Sequence, residues 1–281
     1  MIKKTAVAAL FGLTTAMSAQ AFTIMAGDYK MTVDGYDNGT LYSGSGLICG
    51  SVGACDSASG VKAVGATGSE DSWGILSIAS IVYTPTNTQY FTRGTDGYII
   101  GSFTGLTDRL AYVDSFTGAQ TTFSVGGVIN LYLSSTNYDP SIDSSGQAAV
   151  LTSVQNSPLW LGLQFVTGVN NSADGLISSY RSTFDTNGFT GSGNGFLSVT
   201  GGSAADKFDS DFYSTYAGNV ADAYFSVTIN PLTQNDAGYG NWLAGPTMDV
   251  RGHAIPEPAS MALAGLGLLG LAGLRRRKQQ A

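Results

Sequence analysis

Short apolar runs separated by turn residues dominate the middle of the chain. The runs are rich in β-branched and aromatic residues, as β-strands are. They lie at 73–84, 97–103, 109–116, 121–133, 149–154, 158–169, 195–201 and 223–230. Asp96-Gly97 and Asp139-Pro140 are examples of the turn pairs between them. The alternating stretch 29–43 contains Asn38-Gly39, which predicts a hairpin that turns at those two residues.

Helical periodicity is rare in the same region. It occurs in 204–219, where Phe208, Phe212 and Tyr216 recur at every fourth position. Many short strands and few helices predict an all-β fold, either an antiparallel β-sandwich or a jelly-roll-like arrangement, and the pattern leaves both open. No fixed repeat or charged linker divides the region, so we assign residues 22–250 to one β-rich extracellular domain.

The first 21 residues have the pattern of a secretory signal peptide. Lys3 and Lys4 precede an apolar stretch, and Ala19-Gln20-Ala21 fits the A-x-A cleavage motif. We therefore expect the general secretion machinery to export the chain and signal peptidase to cut after Ala21. In an oxidising compartment the two cysteines, Cys49 and Cys55, are predicted to form a local disulfide.

The charge of the exported region excludes one class of partner. Residues 22–254 contain seven Lys and Arg against nineteen Asp and Glu, a net charge of −12. Because such a surface repels polyanions, no nucleic acid partner is expected.

Side chains that commonly catalyse reactions are scarce. The one histidine, His253, lies three residues before Pro256, in a stretch that predicts a solvated linker rather than a general base. Glycoside hydrolysis needs two carboxyl groups on one cleft, and nothing in the sequence brings such a pair together. The prediction is a protein that is not an enzyme and has no catalytic residue or cofactor. A secreted hydrolase is the least favoured alternative.

Aspartates and tyrosines leave two binding alternatives open. Asp206, Asp209 and Asp211, and separately the acidic stretch 34–38, offer oxygen ligands of the kind that structural calcium takes. Turn and cap roles explain these residues equally well. Four tyrosines beside turn residues are a hint of carbohydrate contact: Tyr36, Tyr42, Tyr138 and Tyr239.

The C-terminal segment, residues 251–281, ends in three features in a fixed order. Pro256, Glu257 and Pro258 precede an uncharged stretch from Ala259 to Leu274, and four cations follow: Arg275, Arg276, Arg277 and Lys278. Residues 259–274 are predicted to form a single apolar helix. At about 1.5 Å per residue the helix is roughly 24 Å long, short of the ~30 Å hydrocarbon core. The basic stub 275–278 would hold its end in the cytoplasm.

These features resemble the PEP-CTERM sorting signal of Gram-negative bacteria. The resemblance implies that an exosortase, a membrane-embedded cysteine protease-transpeptidase, recognises the chain near residues 256–258 and removes the tail. It implies a transient stay in the inner membrane, then the cell surface or the extracellular matrix. The expected function is structural or adhesive in an exopolysaccharide or biofilm matrix, with exopolysaccharide as a candidate partner. The alternative is a carbohydrate- or calcium-binding surface module.

Overall fold

The computed structural model describes residues 24–58, 60–61, 70–138, 144–170, 177–185, 190–230, 232 and 242–255. The helices are α1 (Val52–Ser57), α2 (Ser144–Val154) and α3 (Ala205–Phe208). The strands are β1 (Gly27–Gly39), β2 (Leu41–Tyr42), β3 (Gly46–Cys49), β4 (Gly60–Val61), β5 (Ser72–Tyr83), β6 (Thr88–Thr92), β7 (Tyr98–Val113), β8 (Gln120–Ser134), β9 (Leu159–Val166), β10 (Val169–Asn170), β11 (Ile177–Ser178), β12 (Tyr180–Phe184), β13 (Gly191–Gly201), β14 (Tyr213–Ser214), β15 (Val220–Ala221), β16 (Ala223–Ile229) and β17 (Thr247–Ala254).

Eight of these strands close into an antiparallel β-barrel. Around the barrel the order is β1, β5, β7, β8, β9, β13, β16 and β17, which is also their order along the chain. The last strand, β17, pairs back onto β1 from Gly27↔Ala254 to Asp34↔Thr247. Each barrel strand therefore has a partner on both sides, which removes the open edges that invite aggregation.

The prediction of an all-β fold is confirmed, whereas the sandwich or jelly-roll arrangement is wrong. A sandwich, a jelly roll and a barrel all place alternate residues of each strand inside and outside. The local pattern is therefore the same in all three. What separates them is the pairing of β1 with β17, two strands at opposite ends of the described chain.

Apolar side chains fill the barrel. Five different strands each contribute a core side chain that is at most 5 % exposed: Met31, Leu76, Ile129, Leu163 and Val250. We call the end where Gly27 meets Ala254 the lower end. There α3 inserts Phe208, whose ring lies 4.9 Å from that of Tyr29 and 5.7 Å from that of Trp160. Phe208 is fully buried and closes the lower end.

The opposite, upper end has a wall that extends beyond the barrel. The hairpin of β7 and β8 continues upwards, β3 pairs with β7, and β12 bridges β8 and β13. Gly105 and Gly126, on the paired strands of this hairpin, have φ values of +73°, a left-handed conformation that favours glycine. The predicted Cys49–Cys55 disulfide is present and holds α1 against β7 through Ala111 and Val113.

The outside of the barrel has two different halves. Over β5, β7 and β8, a second apolar layer packs on the wall, with α2, Tyr138 and Trp242 above Ile75 and Ile100. Over β13, β16, β17 and β1, the outward positions carry polar side chains instead, such as Ser226, Asp249 and Thr32.

Several element predictions are confirmed and three are wrong. The runs at 73–84 and 121–133 are β5 and β8, and 97–103 and 109–116 belong to one long strand, β7. The run 149–154 lies in the helix α2, because its apolar residues pack on β7 and not within a sheet. Asn38-Gly39 continues β1 rather than turning it, since β5 pairs with both residues. Of the predicted helix 204–219, the structure has α3 alone.

Removing the ring of Phe208, which plugs the lower end, should destabilise the barrel strongly. Phe208→Ala removes a fully buried ring that touches Tyr29 and Trp160, and we expect the free energy of unfolding to fall by about 3–5 kcal/mol. Chemical denaturation followed by tryptophan fluorescence measures this. The matched control is Phe116→Ala: Phe116 is 97 % exposed in the β7–β8 turn and its loss should change stability by less than about 0.5 kcal/mol. Equal effects would contradict the plug.

Candidate functional site

A small cavity lies inside the upper rim of the barrel. Its floor consists of three rings: Phe165 lies 5.5 Å from Tyr180 and 5.2 Å from Phe225, centroid to centroid. Two polar side chains, Asp37 and Ser72, face it from β1 and β5. Asp37 is opposite Gly74 in the register, and the missing side chain at Gly74 leaves room there for Phe103.

Burial dominates the electrostatics of this cavity. It raises the pKa of Asp37 to about 7, against a hydrogen bond of 3.2 Å from the Ser72 hydroxyl that lowers it. Burial and the nearby Asp37 and Asp108 raise the pKa of Tyr180 far above its usual value, so its hydroxyl stays protonated. An acid that titrates near neutrality in a mostly apolar cavity is a candidate functional group.

The size of the cavity decides what it can hold. Its volume is about 30 Å³, room for one or two water molecules. Small-molecule pockets have about 300–1,000 Å³. In this conformation the barrel is packed, and the cavity admits water next to Asp37 rather than a sugar ring or a lipid.

A second acidic group is buried in the upper extension. Asp108 accepts hydrogen bonds from the Tyr42 hydroxyl at 2.9 Å and the Ser124 hydroxyl at 2.7 Å. Its own backbone N–H donates to Asp71 at 2.8 Å, and Asp71 also receives the Thr40 hydroxyl. Burial, followed by the charge of Asp108, raises the pKa of Tyr42, which keeps that donor protonated. The network ties the β1–β5 connection to the β7–β8 hairpin and has a structural role.

The acidic side chains of the stretch 34–38 do not come together in one site. Asp34 faces outwards and pairs with Arg93 at 2.7 Å, whereas Asp37 faces the cavity and Asn38 accepts the Leu243 N–H. Neighbours along a strand point to opposite faces, so the stretch 34–38 cannot converge on one ion. This correction applies to the first acidic stretch.

The second predicted group of calcium ligands, Asp206, Asp209 and Asp211, differs from the acidic cluster that the structure forms. Carboxylate oxygens of Asp209, Asp211 and the buried Asp222 lie within 4.8 Å of one another, and Asp222 was not predicted. Asp222 accepts three backbone N–H groups, from Val199 at 2.7 Å, Ser210 at 2.6 Å and Asp211 at 2.7 Å. Its oxygens therefore anchor the segment after α3. Burial and then its acidic neighbours raise the pKa of Asp209.

An open groove of about 520 Å³ lies on the polar half of the outer wall. Its lining residues are Lys30, Thr32, Ser192, Gly193, Asn194, Tyr224, Ser226, Val227, Thr228, Thr247 and Asp249. Strand pairing places four of these residues in a row across the wall. The order is Thr32 on β1, Asp249 on β17, Ser226 on β16 and Asn194 on β13. Lys30, the one lysine of the lining, pairs with Asp249, its one acid, at 2.9 Å, and Arg251 beside the groove also contacts Asp249 at 3.4 Å.

The tyrosines and the histidine lie elsewhere than the sequence predicts. Tyr36 and Tyr138 pack against each other at 5.5 Å, Tyr42 is buried, and Tyr239 lies outside the described residues. The ring that lines the groove belongs instead to Tyr224, which is half-buried and whose outward position alternation along β16 indicates. His253 is not in a linker: it belongs to β17, contacts Asp28 at 2.9 Å and stacks on Phe212 at 4.9 Å.

The predicted processing residues lie outside the described part of the chain. They are Ala19 and Ala21 at the signal cleavage site, and Pro256, Glu257, Pro258, Arg275, Arg276 and Arg277 in the sorting segment. The predicted apolar helix 259–274 lies outside it as well. Among the described residues, no helix is both long enough and apolar enough to cross a membrane. The predicted domain boundary at residue 250 falls within β17, which continues to Ala254.

Asparagine at position 37 should remove a pH-dependent loss of stability. The folded state holds the Asp37 proton to about pH 7, whereas the unfolded chain releases it near pH 4. Stability from this group therefore falls as the pH rises between those values. We expect Asp37→Asn to gain stability relative to wild type across this window, by roughly 2–4 kcal/mol above pH 7. Urea unfolding at pH 4 to 8 measures the difference.

Asp114→Asn is the control with the opposite sign. Backbone and hydroxyl donation from Thr117, and the Phe116 N–H, lower the pKa of Asp114. Its contribution is present above the unfolded pKa and is lost on acidification, so this variant should be less stable than wild type at neutral pH and should converge with it in acid. A flat difference curve for Asp37→Asn would contradict a buried acid that titrates near pH 7.

Comparison with known proteins identifies the end of the chain. The family model of the PEP-CTERM protein-sorting motif matches residues 254–278, which include Pro256–Pro258 and Arg275–Lys278. No curated protein and no solved structure matches the chain. The chain therefore carries a PEP-CTERM protein-sorting motif, which marks an exported protein that an exosortase sorts to the cell surface.

Proposed function

We propose that this protein is a non-catalytic structural or adhesive component of the extracellular matrix of a Gram-negative bacterium. The observation that carries the proposal is the packed interior of the barrel, whose upper cavity has about 30 Å³ beside its single carboxyl group, Asp37. A substrate has no room there, and the buried acids of the described chain, Asp71, Asp108 and Asp222, hold backbone and hydroxyl donors. A rigid barrel with an acidic, hydrated surface suits a matrix protein.

The fold also suits a protein that works outside the cell. The disulfide anchors α1, and the closed sheet leaves few unpaired strand edges in the barrel. The paired strands resist edge-to-edge aggregation, and the disulfide persists in the oxidising environment outside the cytoplasm. The role at the surface then depends on where the protein is placed and on its outer wall.

The test is complementation of a strain that lacks the protein. Cohesion of the cell mass, measured as resistance to dispersal by shear, should be lost on deletion and restored by the wild-type chain. Asp37→Asn should restore it fully, because it retains the packed barrel and removes the one acid of the cavity. A chain that ends at Ile255 should fail, because it lacks the sorting segment. If Asp37→Asn is folded and reaches the surface but does not restore cohesion, the non-catalytic proposal is wrong.

A second candidate function is carbohydrate binding in the outer groove. The groove has a suitable volume, about 520 Å³, and its hydroxyl and amide groups offer both donors and acceptors. In the part of the chain that the structure describes, the side chains of Ser192, Asn194 and Ser226 make no hydrogen bond, so they are available to a ligand. Tyr224 provides a half-buried ring, held by Phe196 at 5.5 Å, whose open side a sugar can stack on.

The charges of the groove favour a neutral glycan over other partners. Lys30 and the neighbouring Arg251 both pair with Asp249, at 2.9 Å and 3.4 Å, so each charged group at the groove already has a partner. The strands below are paired on both sides, which excludes the addition of a peptide strand. An uncharged polyhydroxyl chain fits the remaining chemistry.

Affinity electrophoresis through gels that contain dextran, a neutral polysaccharide, tests this candidate. Dextran should slow the wild-type protein, and alginate, an acidic polysaccharide, should not. Tyr224→Ala should lose most of the retardation, because ring stacking contributes about 1 kcal/mol or more. Tyr112→Ala is the matched control: Tyr112 is 40 % exposed on β7, away from the groove. Equal retardation of both variants would rule out the groove.

A further inference from the structure

The sorting motif begins inside the folded barrel. Its first matched residue, Ala254, is the last residue of the closing strand β17 and is fully buried in the barrel core. At that position β17 is paired with β1 through Gly27↔Ala254 and Asp28↔His253. Pro256 follows Ala254 with one residue between them. The barrel and the motif therefore share residues, with no linker to separate them.

Four contacts hold the chain where it leaves the barrel. The His253 Nδ1–H donates to the Asp28 carboxylate at 2.9 Å, and its ring lies 4.9 Å from Phe212 with 11° between the planes. The Ile255 N–H donates to the Lys207 carbonyl at 2.9 Å. Ala254 packs in the core. We call the group Asp28, Lys207, Phe212, His253 and Ile255 the exit clamp.

The spacing brings the clamp close to the membrane while the protein is being sorted. The apolar stretch starts at Ala259, four positions after Ile255. An extended chain of that length reaches about 14 Å at most. An enzyme embedded in the membrane that acts on the motif therefore meets the lower end of the barrel at its own surface.

A processing enzyme needs backbone that is free of sheet partners. Peptide substrates are commonly held as an added strand, which requires unpaired N–H and C=O groups, and proteolysis concentrates at exposed segments without such pairing. Residues 253 and 254 are paired with β1, the His253 ring stacks on Phe212, and the Ile255 N–H is bonded to Lys207. The N-terminal side of the motif is thus closed to an enzyme while the clamp is intact.

We propose that the exit clamp gates sorting: the last residues of β17 separate from β1 before the exosortase engages the motif, and the clamp sets how often this happens. The remaining β1–β17 pairs, from Tyr29↔Gly252 to Asp34↔Thr247, form the seam that keeps the barrel closed during this opening. Such local opening at the end of a strand requires far less free energy than unfolding. Asp28, Lys207 and Phe212 are positioning residues for the processing of this chain, whatever the barrel does at its destination.

The test measures how fast the full-length chain loses its tail in cells that process it, by pulse labelling and intact mass. A six-residue glycine-serine linker between Ile255 and Pro256 should speed tail loss, because it supplies free backbone without touching the fold. Phe212→Ala should speed it about fivefold, the factor that corresponds to about 1 kcal/mol of lost clamp stability. Combining the two should give no more than the linker alone.

Two control variants separate the clamp from general effects. Phe116→Ala removes an exposed phenylalanine at the upper end and should leave the rate unchanged. Tyr42→Phe removes the hydrogen bond to Asp108 and destabilises the upper extension without touching the exit, and it should also leave the rate unchanged. Acceleration by Tyr42→Phe equal to that of Phe212→Ala would overturn the proposal, since overall stability would then govern the rate. A linker that slows tail loss would overturn it too, by showing that the enzyme recognises the folded end.

Discussion

The pairing of β1 with β17 is the constraint on which the rest of the structure depends. It joins the first and last strands of the described chain over eight residue pairs, and it converts a meander of neighbouring strands into a closed barrel. Closure gives the inward side chains a common core, into which Phe208 inserts from below. It also brings Gly27 and Ala254 together, so that both ends of the domain leave from the same end of the barrel.

That geometry connects the fold to sorting. A protein that is first held by an apolar tail and then released needs a stable body and an accessible tail, and the two requirements meet at β17. The strand must stay paired for the barrel to remain closed, yet its last residue belongs to the motif that the sorting enzyme reads. The exit clamp accommodates both requirements. The last pairs of β17 with β1 can separate locally while the longer part of the strand stays paired and keeps the barrel closed.

The polar groups of the barrel divide into two kinds with different consequences. Asp71 and Asp108 in the upper extension, and Asp222 beside the segment after α3, are surrounded by donors, so they stabilise particular connections between strands. Asp37 is the exception, because one hydroxyl partner does not offset its burial and its pKa rises to about 7. On the outer wall, by contrast, the hydroxyl and amide groups of the groove face solvent and remain free for a partner.

Particular residues show how far the sequence determined this protein and where the tertiary structure decided. The sequence by itself determined the sorting signal, the all-β class and the disulfide, because each depends on residues that are near one another in the chain or on their alternation. It did not reveal that 149–154 is helical, that Asn38 continues a strand or that Asp222 joins Asp209 and Asp211. Each of these depends on a partner far away in sequence: the wall of β7, the strand β5, and the backbone of Val199. The closed barrel, the placement of His253 in its seam and the groove on its outer wall were decided by the tertiary structure alone, because strand partners are chosen by the total burial of the folded chain and not by local pattern.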